Sequence, residues 1–131
     1  HPVFRRRAFL RGAFGEAGAV PDSWWFGVDG RRMSRRKWED ANERVVGLFL
    51  NGDRFTERDA HGGAIRDDSF LVLINSWEGD VRFTLPSARF GRHWQFELGT
   101  AAPDQEPGAW RVDARAPVDC PGRSVTVLRR C

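Results

Sequence analysis

The sequence predicts an all-β domain, an antiparallel β-sandwich of about six to eight short strands, with a short helix near 34–41 and an irregular N-terminal arm. Three observations predict it. Two apolar runs, Val45-Val46-Gly47-Leu48-Phe49-Leu50 and Phe70-Leu71-Val72-Leu73-Ile74, run straight into Asn51-Gly52-Asp53 and Asn75. Short apolar runs closed by turn residues are what buried strands look like in sequence. Val81, Phe83 and Leu85 then alternate with Arg82 and Thr84. That period of two puts one face on a core and the other toward water. Finally, the connections are rich in Gly, Pro, Asp and Asn, as in Glu78-Gly79-Asp80, Pro86-Ser87 and Pro121-Gly122.

Residues 1–20 read as an arm or linker and 21–131 as the sandwich. Val3, Phe4, Ala8 and Phe9 give the arm some apolar surface, whereas Gly12, Gly15 and Gly18 make its second half permissive. Trp24-Trp25-Phe26 follow a turn signal and read as loop aromatics, and Asp29-Gly30 reads as a tight turn. Ser34 is a plausible N-cap for the short helix, with Trp38 on its buried side. Strands are expected at 44–50, 69–75, 80–85, 92–98, 109–112 and 123–129. In the fourth, Trp94, Phe96 and Leu98 alternate with His93, Gln95 and Glu97, and in the last Val125 and Val127 alternate with Ser124 and Thr126. Trp38 and Trp94 are expected in the core.

A chain of 131 residues with 40% apolar and 30% charged residues suits one globular domain. No apolar run approaches the ~18–20 residues of a membrane span, and no apolar h-region follows His1-Pro2-Val3-Phe4-Arg5-Arg6-Arg7. Residue 1 is not Met, so a processed chain or a piece of something larger is expected. Of the 21 basic residues all but Lys37 are Arg, and the net charge is +3. The basic clusters are short and interspersed with acids, so a solvated or ion-paired surface is expected ahead of a phosphate-binding patch. Cys120 and Cys131 are expected as unpaired thiols, since a disulfide would close only a short terminal loop.

Catalytic chemistry finds little to use. His1, His61 and His93 accompany no G-x-S-x-G motif. Asp67-Asp68 is the obvious carboxylate pair, but adjacent strand residues point to opposite faces, and their side chains are expected to bond local backbone. Gly62-Gly63 lacks the spacing and helix of a phosphate loop. No Cys/His spacing suggests zinc, and no metal or cofactor is expected. The six Trp, with no Tyr, are more informative. Exposed indoles stack on sugar rings and on bases. Trp24 and Trp25, read as a loop, and Trp77, in an expected hairpin turn, are the candidate carbohydrate contacts.

Several spaced stretches together carry a resemblance. His1-Pro2-Val3-Phe4-Arg5-Arg6-Arg7-Ala8-Phe9, then Trp25-Phe26 with Asp29-Gly30 and Met33, then Trp38 and Leu48-Phe49-Leu50-Asn51-Gly52, keep one order. Asp67-Asp68-Ser69-Phe70-Leu71 through Asn75, and Phe83-Thr84-Leu85-Pro86, continue it. The whole resembles the C-terminal end of isoamylase-type glycogen debranching enzymes of the α-amylase superfamily. One departure is Ser76-Trp77-Glu78-Gly79, where the family often has a His-rich turn. The resemblance implies a non-catalytic β-sandwich that caps a (β/α)8 barrel in a bacterial cytoplasmic enzyme cleaving α-1,6 branch linkages. Catalytic Asp and Glu residues lie on that barrel, so none is carried over here. The implied partner is the barrel itself, with α-glucan as a second. A binding module for α-glucan is the alternative function, and a basic nucleic-acid-binding β domain a weaker one; neither nucleic acid nor membrane is expected as a partner.

Overall fold

The computed structural model describes residues 1–5, 20–53 and 59–131. Ala8, Phe9, Gly12, Gly15 and Gly18 of the expected arm lie outside the described residues. Among the described residues, eight strands follow a 3-10 turn at Pro2–Phe4: β1 (Ser23–Phe26), β2 (Val45–Leu50), β3 (Phe70–Asn75), β4 (Val81–Thr84), β5 (His93–Gly99), β6 (Arg111–Asp113), β7 (Pro117–Cys120) and β8 (Ser124–Arg130). The helix α1 (Arg35–Glu39) separates β1 from β2. Every pairing is antiparallel. The large sheet has the order β1-β2-β3-β8-β5-β6, and β4 and β7 form the second layer. The expected β-sandwich is therefore observed.

The main core lies between the layers. Phe49, Leu71, Leu73, Phe83, Leu85, Trp94 and Leu128 are all fully buried there. Ring edges meet faces at Phe26–Phe90, Phe49–Phe90 and Phe49–Trp94, with centroids 4.8, 5.2 and 6.3 Å apart. Such T-shaped pairs add about 0.5–1.5 kcal/mol beyond the burial itself. Trp94 is core as expected, and its Nε1–H donates to the Gly91 carbonyl at 3.2 Å. The Asp29-Gly30 turn seats against the second layer, where the Thr84 N–H donates to the Val28 carbonyl at 2.8 Å.

Five local expectations need correction. Trp24 and Trp25 lie in β1, paired with Phe49 and Leu48, not in a loop. Trp38 is 52% exposed, because α1 is too short to lay a side against the sheet; its ring instead meets the edge of Trp25 at 5.3 Å. The Ser34 cap is as expected, accepting from the Lys37 N–H at 3.2 Å. Leu98 is 51% exposed, since the register of β5 slips between Phe96 and Leu98 and the bulge breaks the alternation. Trp77 does not sit in a hairpin: the β3–β4 connection crosses from one sheet to the other, and β4 pairs with β7. Last, Val125 and Val127 do alternate with Ser124 and Thr126, but face away from the main core.

The large sheet is thus apolar on its outer face as well. Val3, Leu50, Phe70 and Val127 form a second buried cluster there, with Leu48, Val72 and Val125 against it. Phe4 leans on Phe70 at 4.8 Å, although half of it remains exposed. Cross-strand partners share a face, so the register places Trp25, Leu48, Val72, Val127 and Leu98 in one row across five strands.

Candidate functional site

The carboxylate pair is consumed by structure. Asp67 Oδ1 accepts from the Asp68 N–H at 2.8 Å and meets His1 Nδ1 at 2.7 Å, while Oδ2 accepts from the Val3 N–H at 3.0 Å. Asp68 faces Arg129 at 3.4 Å. His1, Asp67 and Asp68 bring their ligand atoms within 4.8 Å of one another, yet each aspartate already answers a donor, so the set reads as a tether for the arm. His93 is exposed and paired with Asp113 at 2.8 Å, and His61 is exposed on the 59–63 turn. Both cysteines are free thiols. Burial, aided by the Asp119 charge, pushes the Cys120 thiol up to about 11, which makes it a poor nucleophile near neutrality.

Among the candidate carbohydrate contacts, Trp25 and Trp77 are 39% and 40% exposed. Trp24 is half-buried, packed against the main core and covered by the Arg32 guanidinium 4.4 Å from its ring centroid. Trp25 does not line the cleft to which Trp77 belongs. Trp77 lines a cleft of about 480 Å³ together with Asp40, Asn42, Glu43 and Arg44. A smaller cleft of about 130 Å³ is lined by Trp38 and shares the wall Glu43-Arg44-Val45. The two clefts flank this wall on either side, a groove interrupted by it, at the end of the β2–β3 pair where Asn75 sits.

That end is firmly built. Asn75 is 1% exposed, and its Nδ2 donates to the carbonyls of Gly79, Cys120 and Pro121 at 3.0, 3.0 and 3.1 Å. Its Oδ1 accepts from the Trp77 N–H at 2.9 Å. Ser76 holds the opposite wall, with both its N–H (2.9 Å) and its hydroxyl (2.8 Å) donating to the Arg44 carbonyl. The benzo ring of Trp77 rests on Gly79, where a Cβ would come within 2.8 Å of it. Asp40 shapes the facing loop by accepting from the Asn42 N–H at 2.9 Å. Beneath the smaller cleft, Lys37 Nζ donates to Asp29 at 3.1 Å. Burial opposes ionisation of Asp29, but the Arg31 N–H and the Lys37 ammonium outweigh it and hold the carboxyl below its usual range.

Reading along the sequence missed this loop. Asp40, Asn42, Glu43 and Arg44 look like an ordinary helix-to-strand connection, and no local signal places them beside Trp77. Among the described residues no helix is long and apolar enough to cross a membrane.

Comparison with known proteins agrees with this architecture. Residues 22–128 match the family described as isoamylase, C-terminal. The chain is 37% identical over 131 residues to the "Glycogen operon protein GlgX homolog" of Mycobacterium bovis, a match covering 99% of this chain. The proteins of the same name in two strains of Mycobacterium tuberculosis match equally. The chain spans 18% of the length of these relatives. With most of its length inside one family match, the chain belongs to the isoamylase C-terminal domain family.

Proposed function

We propose that this chain is the non-catalytic C-terminal β-sandwich of a bacterial, cytoplasmic glycogen debranching enzyme, and that it stabilises a catalytic barrel elsewhere in a longer polypeptide. Residues 1–20 are the arm arriving from that barrel, and 21–131 the sandwich. The parent hydrolyses α-1,6 branch linkages. The observation that carries this reading is the apolar row Trp25, Leu48, Val72, Val127 and Leu98, whose two ends are 39% and 51% exposed. An apolar stripe across five of the six strands of a sheet is what a docked neighbour covers. The arm residues Val3 and Phe4 already lie on the same face. The relatives supply the neighbour's scale, since most of their length lies outside the match. The engagement of Asp67 and Asp68 by the arm and Arg129 supports a non-catalytic role.

Incubating the chain with a branched α-glucan and measuring reducing ends tests the reading. No release above background is expected. Turnover that follows the protein through repurification overturns it.

A further inference from the structure

The groove at the Asn75 end has the chemistry of a site rather than of a seam. Trp77 presents an indole already braced from behind by Gly79. Trp38, 52% exposed, stands at the other end of the shared wall. Between them, the side chains of Asn42, Glu43 and Arg44 make no ion pair or hydrogen bond among the described residues. Amide, carboxylate and guanidinium groups left unpaired beside an exposed indole suit a ligand rich in hydroxyls. A pyranose offers its C–H face to the ring and its vicinal hydroxyls to the polar wall.

Charge narrows the class. The wall sets the carboxylates of Asp40 and Glu43 against the guanidinium of Arg44, and the Lys37 ammonium that lines the smaller cleft is already paired with Asp29. A polyphosphate backbone finds no surplus of positive charge there to bind it, whereas a neutral polyol needs none. Shape narrows it again. The larger cleft reaches Val28 and Val81, which pack on the main core, and the smaller reaches Val46 and Ile74 on the outer face. A ligand spanning both must bend around the end of the sheet. An α-linked glucan bends, whereas a β-1,4-linked one runs straight.

We propose that this groove binds a neutral α-glucan chain, with Trp77 and Trp38 as stacking platforms and Asn42, Glu43 and Arg44 reading hydroxyls. The inference rests on the reading above that the chain serves a glycogen-acting enzyme, and it adds a contact point remote from the bond being cleaved. The turn that carries Trp77 is preorganised by Asn75 and Ser76, so little ordering cost falls on binding.

The test is a titration of the chain with maltoheptaose, read by tryptophan fluorescence and by calorimetry, with cellohexaose in parallel. Saturable binding of maltoheptaose, and none of cellohexaose, is expected. Trp77→Ala should weaken it about tenfold or more. Glu43→Gln is isosteric at a half-buried position and Arg44→Ala changes an exposed side chain, so both leave the fold intact, and each should weaken binding several-fold. Absence of saturation into the millimolar range overturns the proposal. So does equal binding of both sugars, or undiminished binding by Trp77→Ala, Glu43→Gln and Arg44→Ala. Failure to bind without release of reducing ends removes this inference alone and leaves the domain assignment standing.

Discussion

The two ends of the β2–β3 pair are built to the same plan and left in opposite states. Each ends in a buried asparagine whose side-chain amide reaches main-chain carbonyls. At one end Asn51 donates to the carbonyls of Val20 and Pro21 at 3.2 and 3.1 Å. At the other, Asn75 donates to three carbonyls across the two sheets. Around Asn51 three aspartates among the described residues are answered: Asp67 by His1 and the arm backbone, Asp68 by Arg129, and Asp53 by Arg130. Around Asn75 the side chains of Asn42, Glu43 and Arg44 in the facing loop are left open beside a bare indole. The same structural device thus closes one end and holds the other ready. Saturated hydrogen bonding marks the structural end, and unsatisfied polar groups on a rigid frame mark the functional one.

The sharpest way to break the comparison is to strike both frames. Gly52 and Gly122 each face a backbone carbonyl that an added Cβ would approach to 2.1 Å. Gly52→Ala and Gly122→Ala should each cost about 3 kcal/mol or more, or prevent folding outright. Urea denaturation followed by fluorescence measures this, and a mild effect at either site would deny that end its rigidity.

Removing the clamps comes next. Asn51→Ala and Asn75→Ala each strand buried carbonyls and should cost about 2–3 kcal/mol. Being at opposite ends, they should add in the double variant. Marked non-additivity in the same denaturation assay would mean that the two ends are one cooperative unit.

Side chains should then separate the ends. Trp77→Ala should cost under about 1 kcal/mol, because the ring is substantially exposed. Its loss should register in sugar binding instead. Asp68→Asn should cost about 0–1 kcal/mol, as expected for an exposed pair, and the difference should shrink in added salt.

The smallest effect concerns pH. The folded-state value of Asp29 is lowered, so its contribution is complete above its unfolded value and is lost as the pH falls into the acid range. Asp29→Asn should flatten that part of an acid-denaturation curve and leave stability near neutrality almost unchanged.

Much of this was legible in the chain. The apolar runs of β2 and β3 and the Asn-Gly and Asp-Asp-Ser turn stretches each mark a real element. Ser69 shows why such stretches hold together: its hydroxyl accepts from the Gly52 N–H at 3.1 Å. What stayed hidden depends on contacts between distant segments. Alternation in β8 could not say which face was inner, because both faces of the large sheet are apolar. β1 and β7 have four residues each, too short for a pattern to outweigh the turn residues around them. Trp38 looked like core because burial is the better bet for any single indole, and only the brevity of α1 denies it. The groove was half legible: Trp77 was readable as exposed, but the loop that faces it is brought there by the β2–β3 pairing.

Asn75 carries one last consequence. A single amide joins the β3–β4 crossing to the β7–β8 connection, so the perch of Trp77 cannot loosen without prying the two layers apart. A sugar held there therefore acts on the melting of the whole domain and not on one turn. Heat resistance that climbs with maltoheptaose concentration would be the sign of that grip.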